Sequence, residues 1–460
     1  VQNSITFDTR DEYRRRPVAE KVIQLLASEI EVSPMVIDGS WGTGKTEFCR
    51  KLIALVEGNS EVAPFRPVYI DAFRADHADQ PLMTILAAIL KLVPEADRPS
   101  LIKKAIPALR FGAKTAGKAA IAWLLKQDAV DLGDEWEEAV KNTGETILDK
   151  ATESLLKDHM KAEQSIHALQ DALCGIASIK PIVIFIDELD RCRPDFALST
   201  LEIIKHVFNI KSVKFVLVTN TQQLKAAINH CYGYEVDAQR YLDKFLAFSF
   251  RLPAVFQEPN RFNSGSAAQA HFSTWVEDSV YLQHSGIVDE VVLKTINEWI
   301  NFKQLSLREV ETFIRHLEIY QALTNKKGLG TKDQKLYLGY LLLRVYAIYC
   351  VCFFPSLAQS ILIGRYSPKD IADSLGRIAL IEPNKNWNYG SNLLIVLLVT
   401  DAPDCPPTFA HKDEQSKKDW DRELYSSIGS WASGIAEYEE RIRAIQRVLH
   451  TISLTTNGSI

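Results

Sequence analysis

Two short stretches of this chain carry residue types whose spacing suits phosphate chemistry. Gly39-Ser40-Trp41-Gly42-Thr43-Gly44-Lys45-Thr46 fits the pattern G-x-x-x-x-G-K-[ST]. Its three glycines permit a tight turn that aims backbone N–H groups inward, which makes an anion-binding nest. Lys45 would reach the β- and γ-phosphates of a nucleoside triphosphate, and the Thr46 hydroxyl would ligate Mg²⁺. The second stretch, Ile182-Val183-Ile184-Phe185-Ile186-Asp187-Glu188, is an apolar run that ends in two acids. Asp187 is the acid suited to the magnesium side. Glu188 is suited to orient or deprotonate an attacking water. Together the two stretches predict a chain that binds a nucleoside triphosphate with Mg²⁺ and hydrolyses its β–γ phosphoanhydride.

These groups need a scaffold, and the flanking residues supply its pattern. Met35 to Asp38 reads as a short buried strand, and Lys45 to about Val56 as a helix whose positive end faces the loop. Pro67 to Asp71 reads as a strand, followed by a helix from about Gln80 to Leu92. After the acidic strand come a helix from Phe196 to Phe208 and a strand from Val213 to Thr219. A short helix at Gln222–Asn229, a helix at Val236–Ala247 and a last strand at Phe248–Leu252 complete the series. Strands alternating with helices over residues 34–253 predict a parallel α/β sheet. Ahead of it, Pro17 suits the first turn of an N-terminal helix. Beyond Pro253 the pattern is helical, with loop-like breaks at Gln257–Gln269, Thr324–Lys335 and His411–Glu423.

Further polar residues are candidates for the same chemistry. Asn220 ends a strand and would sense the γ-phosphate or position the water; an Asn there is equally a common turn residue. Three arginines are placed to supply positive charge to the transition state. Arg240 precedes the last strand, where a residue can act across a subunit boundary. Arg191 follows the acidic strand directly. Arg308 starts a helix of the C-terminal region and is taken as a nucleotide-binding candidate. Each has the alternative of an ordinary surface ion pair, and Arg240 is the leading candidate for an arginine finger.

Composition narrows the setting. At 460 residues the chain can form two or three domains, and 47% hydrophobic with 24% charged residues is ordinary for a globular protein. A net charge of −5 gives no global attraction to nucleic acid. The seven cysteines are scattered without a C-x-x-C pair, and the ten histidines form no H-x-x-x-H pair, so a reduced setting without a zinc site is expected. No charged-then-apolar N-terminal signal is seen. Leu336 to Phe354 is almost continuously apolar. Arg344 near its middle, where a charge costs about 2.5–3.5 kcal/mol on insertion, favours a buried core helix over a membrane span. Residues 95–160 read as an insertion with segregated charge, basic from Arg98 to Lys126 and acidic from Asp128 to Glu138. They form either a solvated helical hairpin or a docking element for a partner or membrane surface.

Trp41 within the loop, Asp71-Ala72-Phe73, Asp187-Glu188-Leu189-Asp190-Arg191-Cys192-Arg193-Pro194 and Arg240-Tyr241-Leu242-Asp243-Lys244-Phe245 together resemble the KAP family of P-loop NTPases. Leu201-Glu202-Ile203-Ile204-Lys205 and Ser306-Leu307-Arg308-Glu309-Val310-Glu311 fit it too. The resemblance runs over roughly residues 4–320. It implies a core of the additional-strand (ASCE) type with a parallel five-stranded sheet, Glu188 in the catalytic-base position and an all-helical C-terminal domain. The chain departs from the pattern in Asp71, where Asn is usual, and Asn220, where Asp is usual. Many members carry transmembrane helices between the two nucleotide motifs, where this chain has its charged insertion. Bacterial members resemble components of anti-phage or plasmid-encoded exclusion systems. The expected organisation is a core of residues 1–94 and 161–253, the insertion 95–160 and a helical domain 254–460. The expected activity is ATP hydrolysis that drives or switches a conformational change in a multi-component complex. The alternative is a nucleotide-gated scaffold or membrane-surface organiser with little turnover. A homo-oligomer with protein partners is expected, cytoplasmic or peripheral at the inner membrane; nucleic acid is left open.

Overall fold

A computed structural model describes residues 6–11, 13–58, 64–78, 81–94, 98, 101, 153–257, 264–331, 335–381, 389–428 and 437–454. Contacts divide the chain into two units, Val1–Pro253 and Ala254–Ile460. Of the insertion 95–160, the charged stretches lie outside the described residues apart from 98, 101 and the helical 153–160.

The first unit is built on a sheet whose three central strands are largely buried on both faces, as a parallel sheet covered by helices demands, while its two edge strands are more exposed. Its strands are β1 (Met35–Asp38), β2 (Arg66–Asp71), β3 (Ile182–Asp187), β4 (Val213–Thr219) and β5 (Phe248–Arg251). They form one five-stranded sheet in the order β2-β3-β4-β1-β5, and every pair is parallel. Strand β4 therefore stands between the strand that feeds the glycine-rich loop and the strand that carries the two acids. The expected parallel sheet with an additional strand is thus observed.

Side chains alternate between the two faces of a strand, and each face has its own core. On one, Val183, Phe185, Met35, Ile37, Val216 and Val218 pack with Leu26 of α1 (Arg16–Ala27) and Phe48 and Leu52 of α2 (Lys45–Glu57). On the other, Ile182, Ile184, Ile186, Leu217 and Ile70 pack with two helices. These are α4 (Pro81–Leu90), which follows the short α3 (Ala72–Ala75), and α6 (Pro194–Val207). Helix α5 (Glu153–Ile179) adds Leu169 and Leu173 to this second core. Helices α7 (Thr221–Tyr232) and α8 (Ala238–Asp243) lead from β4 to β5. Helix α8 is shorter at both ends than the sequence suggested, and β5 stops at Arg251. Fully burying a side chain such as Phe185 contributes about 1.5–3 kcal/mol, so the strands are fixed by their own apolar residues and their tips are left to the polar ones.

The second unit opens with a two-stranded antiparallel hairpin, β6 (Val255–Gln257) and β7 (Ser264–Ser266). It stands where a loop was expected and is the one exception to an otherwise helical unit among the described residues. Helices α9 (Ala267–Asp278), α10 (Glu290–Lys303), α11 (Leu307–Leu323) and α12 (Leu338–Phe353) follow. Next come α13 (Pro355–Leu362), α14 (Pro368–Ser374) and α15 (Tyr389–Ile395), and then α16 (Glu414–Ile428) and α17 (Tyr438–Ile452). The apolar stretch around Arg344 is α12. It packs against α11, α13, α16 and α17, and the Arg344 guanidinium donates to the Gly328 carbonyl at 2.5 Å. Among the described residues no helix is long and apolar enough to cross a membrane. The break expected at His411–Glu423 is overturned, since α16 occupies most of it.

Candidate active site

Sheet register brings the polar strand ends to one edge. Asp38 pairs with Thr219, Asp71 with Asp187, and Asp187 with Val218, so the tips of β1, β4, β3 and β2 lie side by side. The glycine-rich loop springs from this edge. Gly42 and Gly44 adopt left-handed backbone, φ 74° and 80°, and Gly44 caps α2. A Cβ on Gly39 would stand 2.8 Å from Thr43 Oγ1, so the loop closes only over glycine there. Lys45 is buried along its length. Its ammonium donates to the carbonyls of Gly39 (2.7 Å) and Ser40 (3.1 Å), and it thus bridges the loop from within. Burial lowers its pKa, opposed by Asp190, Asp187 and Asp38.

Asp187 ends β3 and is 1% exposed. Its carboxylate accepts from the Tyr69 hydroxyl (2.9 Å), from the Glu188 backbone N–H (2.9 Å) and from the Thr46 hydroxyl. Burial raises its pKa; those hydrogen bonds and Lys45 work against the rise. The structure thus brings together Thr46 and Asp187, the two residues expected to share a metal. An all-oxygen set with one buried carboxylate is the donor chemistry that a hard cation such as Mg²⁺ takes, so these residues fit it.

Glu188 leaves the strand in left-handed backbone, φ 62° and ψ 25°, a conformation that costs a residue with a Cβ about 1–2 kcal/mol. The turn aims its carboxylate at Arg191, whose Nη1 lies 2.8 Å from Oε1. Burial raises the Glu188 pKa; Arg191 lowers it, while Asp187, Asp71 and Asp190 add to the rise. Arg191, one of the three arginines considered for the transition state, is therefore committed to the candidate base.

Asp190 binds both neighbouring elements. The Trp41 indole N–H donates to Oδ2 at 2.6 Å and the Thr219 hydroxyl to Oδ1 at 3.1 Å, joining loop, acidic segment and β4. Arg15, 4% exposed, donates to the carbonyls of Thr43 and Pro253, both at 3.0 Å, so the N-terminal arm also supports the loop. Asp38 accepts from the Thr221 backbone N–H (2.9 Å) and hydroxyl (2.8 Å), and its other oxygen lies 3.6 Å from Arg251. Sequence reasoning gave no role to Arg15, Asp38, Tyr69, Asp190 or Thr219. Asp190 stood in the acidic motif and Tyr69 placed a hydroxyl within a strand, but neither pattern stated the contact it makes.

The remaining candidates are placed as follows. Asn220 caps α7, its side-chain oxygen accepting from the Gln222 backbone N–H at 3.1 Å. It follows Thr219 and so sits at the same sheet edge. Arg240 is 86% exposed on α8, with Asp237 at 3.6 Å. Arg308 is exposed in the first turn of α11, in the second unit. Asp71 caps α3 by accepting from the Arg74 backbone N–H at 3.0 Å. Cys192, behind the acidic turn, has its thiol pushed up to about 12 by burial.

The family model for the KAP family P-loop domain matches residues 15–324. No curated protein matches the sequence. Among solved structures, the Aeropyrum pernix ORC2 protein in its ADPNP–ADP complexes is similar over 96% of this chain and 95% of that one. Identity is 10% and the TM-score 0.30, a likeness too loose to bear on this chain.

Proposed function

Because this chain belongs to the KAP family of P-loop NTPases, we propose that it binds Mg-ATP on the Gly39–Thr46 loop and hydrolyses it to ADP and phosphate. The observation that carries the reading is the contact of Thr46 with Asp187, with Glu188 next in the chain: a phosphate cradle, a cation pair and a candidate base at one sheet edge. Ser40, Trp41 and Thr43 complete the cradle with the three glycines. Lys45 exchanges two loop carbonyls for the β- and γ-phosphate oxygens. Mg²⁺, held by Thr46 and Asp187, supplies neutralisation of phosphate charge when bound. Glu188 orients a water on Pγ and accepts its proton as the new O–P bond forms and the bond to the β-γ bridging oxygen breaks. Asn220, freed from its cap, contacts the γ-phosphate, and Arg240 supplies charge from a neighbouring copy. Arg308 serves as a further nucleotide contact.

In this reading turnover drives or switches a conformational change in a multi-component complex, and the family resemblance suggests anti-phage defence as its setting. A second reading, a nucleotide-gated scaffold with little turnover, is favoured by one feature: Glu188 is held by Arg191. Parallel binding and turnover assays decide between them. Lys45→Ala should lose ATP binding while keeping its fold. Glu188→Gln should bind Mg-ATP and hydrolyse it about 10²–10⁴-fold more slowly. Wild-type turnover no faster than that of Glu188→Gln would reject the enzyme in favour of the scaffold.

A further inference from the structure

At the opposite end of the sheet from the glycine-rich loop lies a cavity of about 720 Å³. Three connections wall it: the segment from Ser28 to Pro34 before β1, the turn between α6 and β4, and the segment Lys244–Ala247 before β5. None of the chemistry above uses it. Its volume falls in the range of about 300–1,000 Å³ in which proteins hold small molecules.

Four lysines line it: Lys205, Lys211, Lys214 and Lys244. Among the described residues none of the four forms an ion pair, although the chain as a whole is acidic. Two rest on backbone carbonyls instead. Lys205 Nζ donates to the Lys244 carbonyl at 2.5 Å, and Lys214 Nζ to those of Leu26 (2.8 Å) and Ser28 (2.9 Å). Lys214 is half-buried, and burial lowers its pKa, with Glu31 opposing. The acids on the wall are Glu29 and Glu31, so lysines outnumber them. A neutral carbonyl is a weaker partner for an ammonium than an anion is. The wall thus carries four ammonium groups against two carboxylates, an excess of positive charge in an acidic chain. Phe245, with the Lys205 ammonium 5.2 Å from its ring centre, adds an apolar wall.

We infer that this cavity is a second anion site, distinct from the loop, for a small molecule carrying two or more phosphate groups. The concave form, walled by three connections and open to solvent, suits a compact ligand better than an extended nucleic-acid strand.

The test uses the full chain with Lys45→Ala, which removes binding at the loop. Calorimetric titration with tripolyphosphate should show one site, weakened at least tenfold by adding Lys205→Ala and Lys211→Ala, both exposed positions. Titration with ADP separates the sources: binding tighter than that of tripolyphosphate assigns the site to a nucleotide, and equal or weaker binding to an inorganic polyphosphate. A second measurement covers misfolding of the Lys45 variant. In the wild-type chain, tripolyphosphate or ADP should protect Lys205 and Lys211 from acetylation relative to the ligand-free chain. Failure of both ligands to bind at millimolar concentration, affinity unchanged by the lysine substitutions, absence of protection, or tighter binding of a single-stranded oligonucleotide through the same lysines would each overturn the inference.

Discussion

Arg191→Ala tests whether the ion pair with Glu188 restrains the candidate base. The two side chains are 33% and 19% exposed and 2.8 Å apart. A fully exposed pair contributes about 0.2–1 kcal/mol, and partial burial places this one toward the upper end, about 1 kcal/mol. If Glu188 must leave Arg191 before it can engage water, that amount is part of the barrier. Removing it should speed the chemical step about fivefold. The assay is single-turnover hydrolysis at saturating ATP, which isolates the step from product release. A pH profile adds an independent sign. Burial raises the Glu188 pKa and Arg191 lowers it. The base works as carboxylate, so the rate falls as pH drops through that pKa. Without Arg191 the acidic limb should move to higher pH. A rate at least tenfold lower, with ATP affinity unchanged, would refute the reasoning and assign Arg191 to the transition state.

Other outcomes follow from the same geometry. The raised pKa of Asp187 means that folding disfavours its charged form; the stability it contributes is full below the ordinary carboxylate range and lost as pH rises through the raised value. Asp187→Asn should therefore melt no lower than wild type without nucleotide at pH 7, with any gain shrinking on acidification, and Mg-ATP should no longer raise its melting temperature in scanning fluorimetry. Arg15→Ala removes two charge-assisted hydrogen bonds, each worth about 1.5–3 kcal/mol; it should lower the melting temperature by several degrees and weaken binding of a fluorescent ATP analogue about tenfold. If the proposed trans role of Arg240 holds, mixing Arg240→Ala with Lys45→Ala chains should restore part of the turnover each lacks, an arginine finger being worth about 10³–10⁵ in rate; mixed oligomers without recovery, verified by mass, would remove Arg240 from the site.

Legibility from sequence tracked whether a residue's role depends on its neighbours in the chain or in space. Strands β3 and β4 were readable because they are largely buried on both faces and hence mostly apolar, with Lys214, Thr219 and Asp187 the polar exceptions. The loop was readable because its glycines answer a local backbone demand. Helix α16 was missed because its core contact rests on a thin stripe, Trp420, Leu424 and Ile428, within a charged run that resembles a loop. Of the candidate site, Lys45, Thr46, Asp187 and Glu188 were singled out by spacing, and the fold brings them to one sheet edge. Arg15 was not, because nothing local separates it from Arg14 and Arg16; only the fold brings it to Thr43. The Arg191–Glu188 pair depends on one left-handed residue that no pattern announces.

The Arg15 guanidinium also joins two points far apart along the chain, Thr43 in the loop and Pro253, the last residue of the first unit. The backbone continues from Pro253 directly into the second unit. Two connections therefore link that junction to the cradle: the β1–β5 ladder, extended by the Leu252 backbone N–H on the Asp38 carbonyl (2.9 Å), and one planar, rigid cation on a carbonyl of the loop. The cation's two hydrogen bonds are arranged in series, so whichever is weaker limits that second connection. The arm thus ties the exit of the first unit to the loop that would hold the nucleotide.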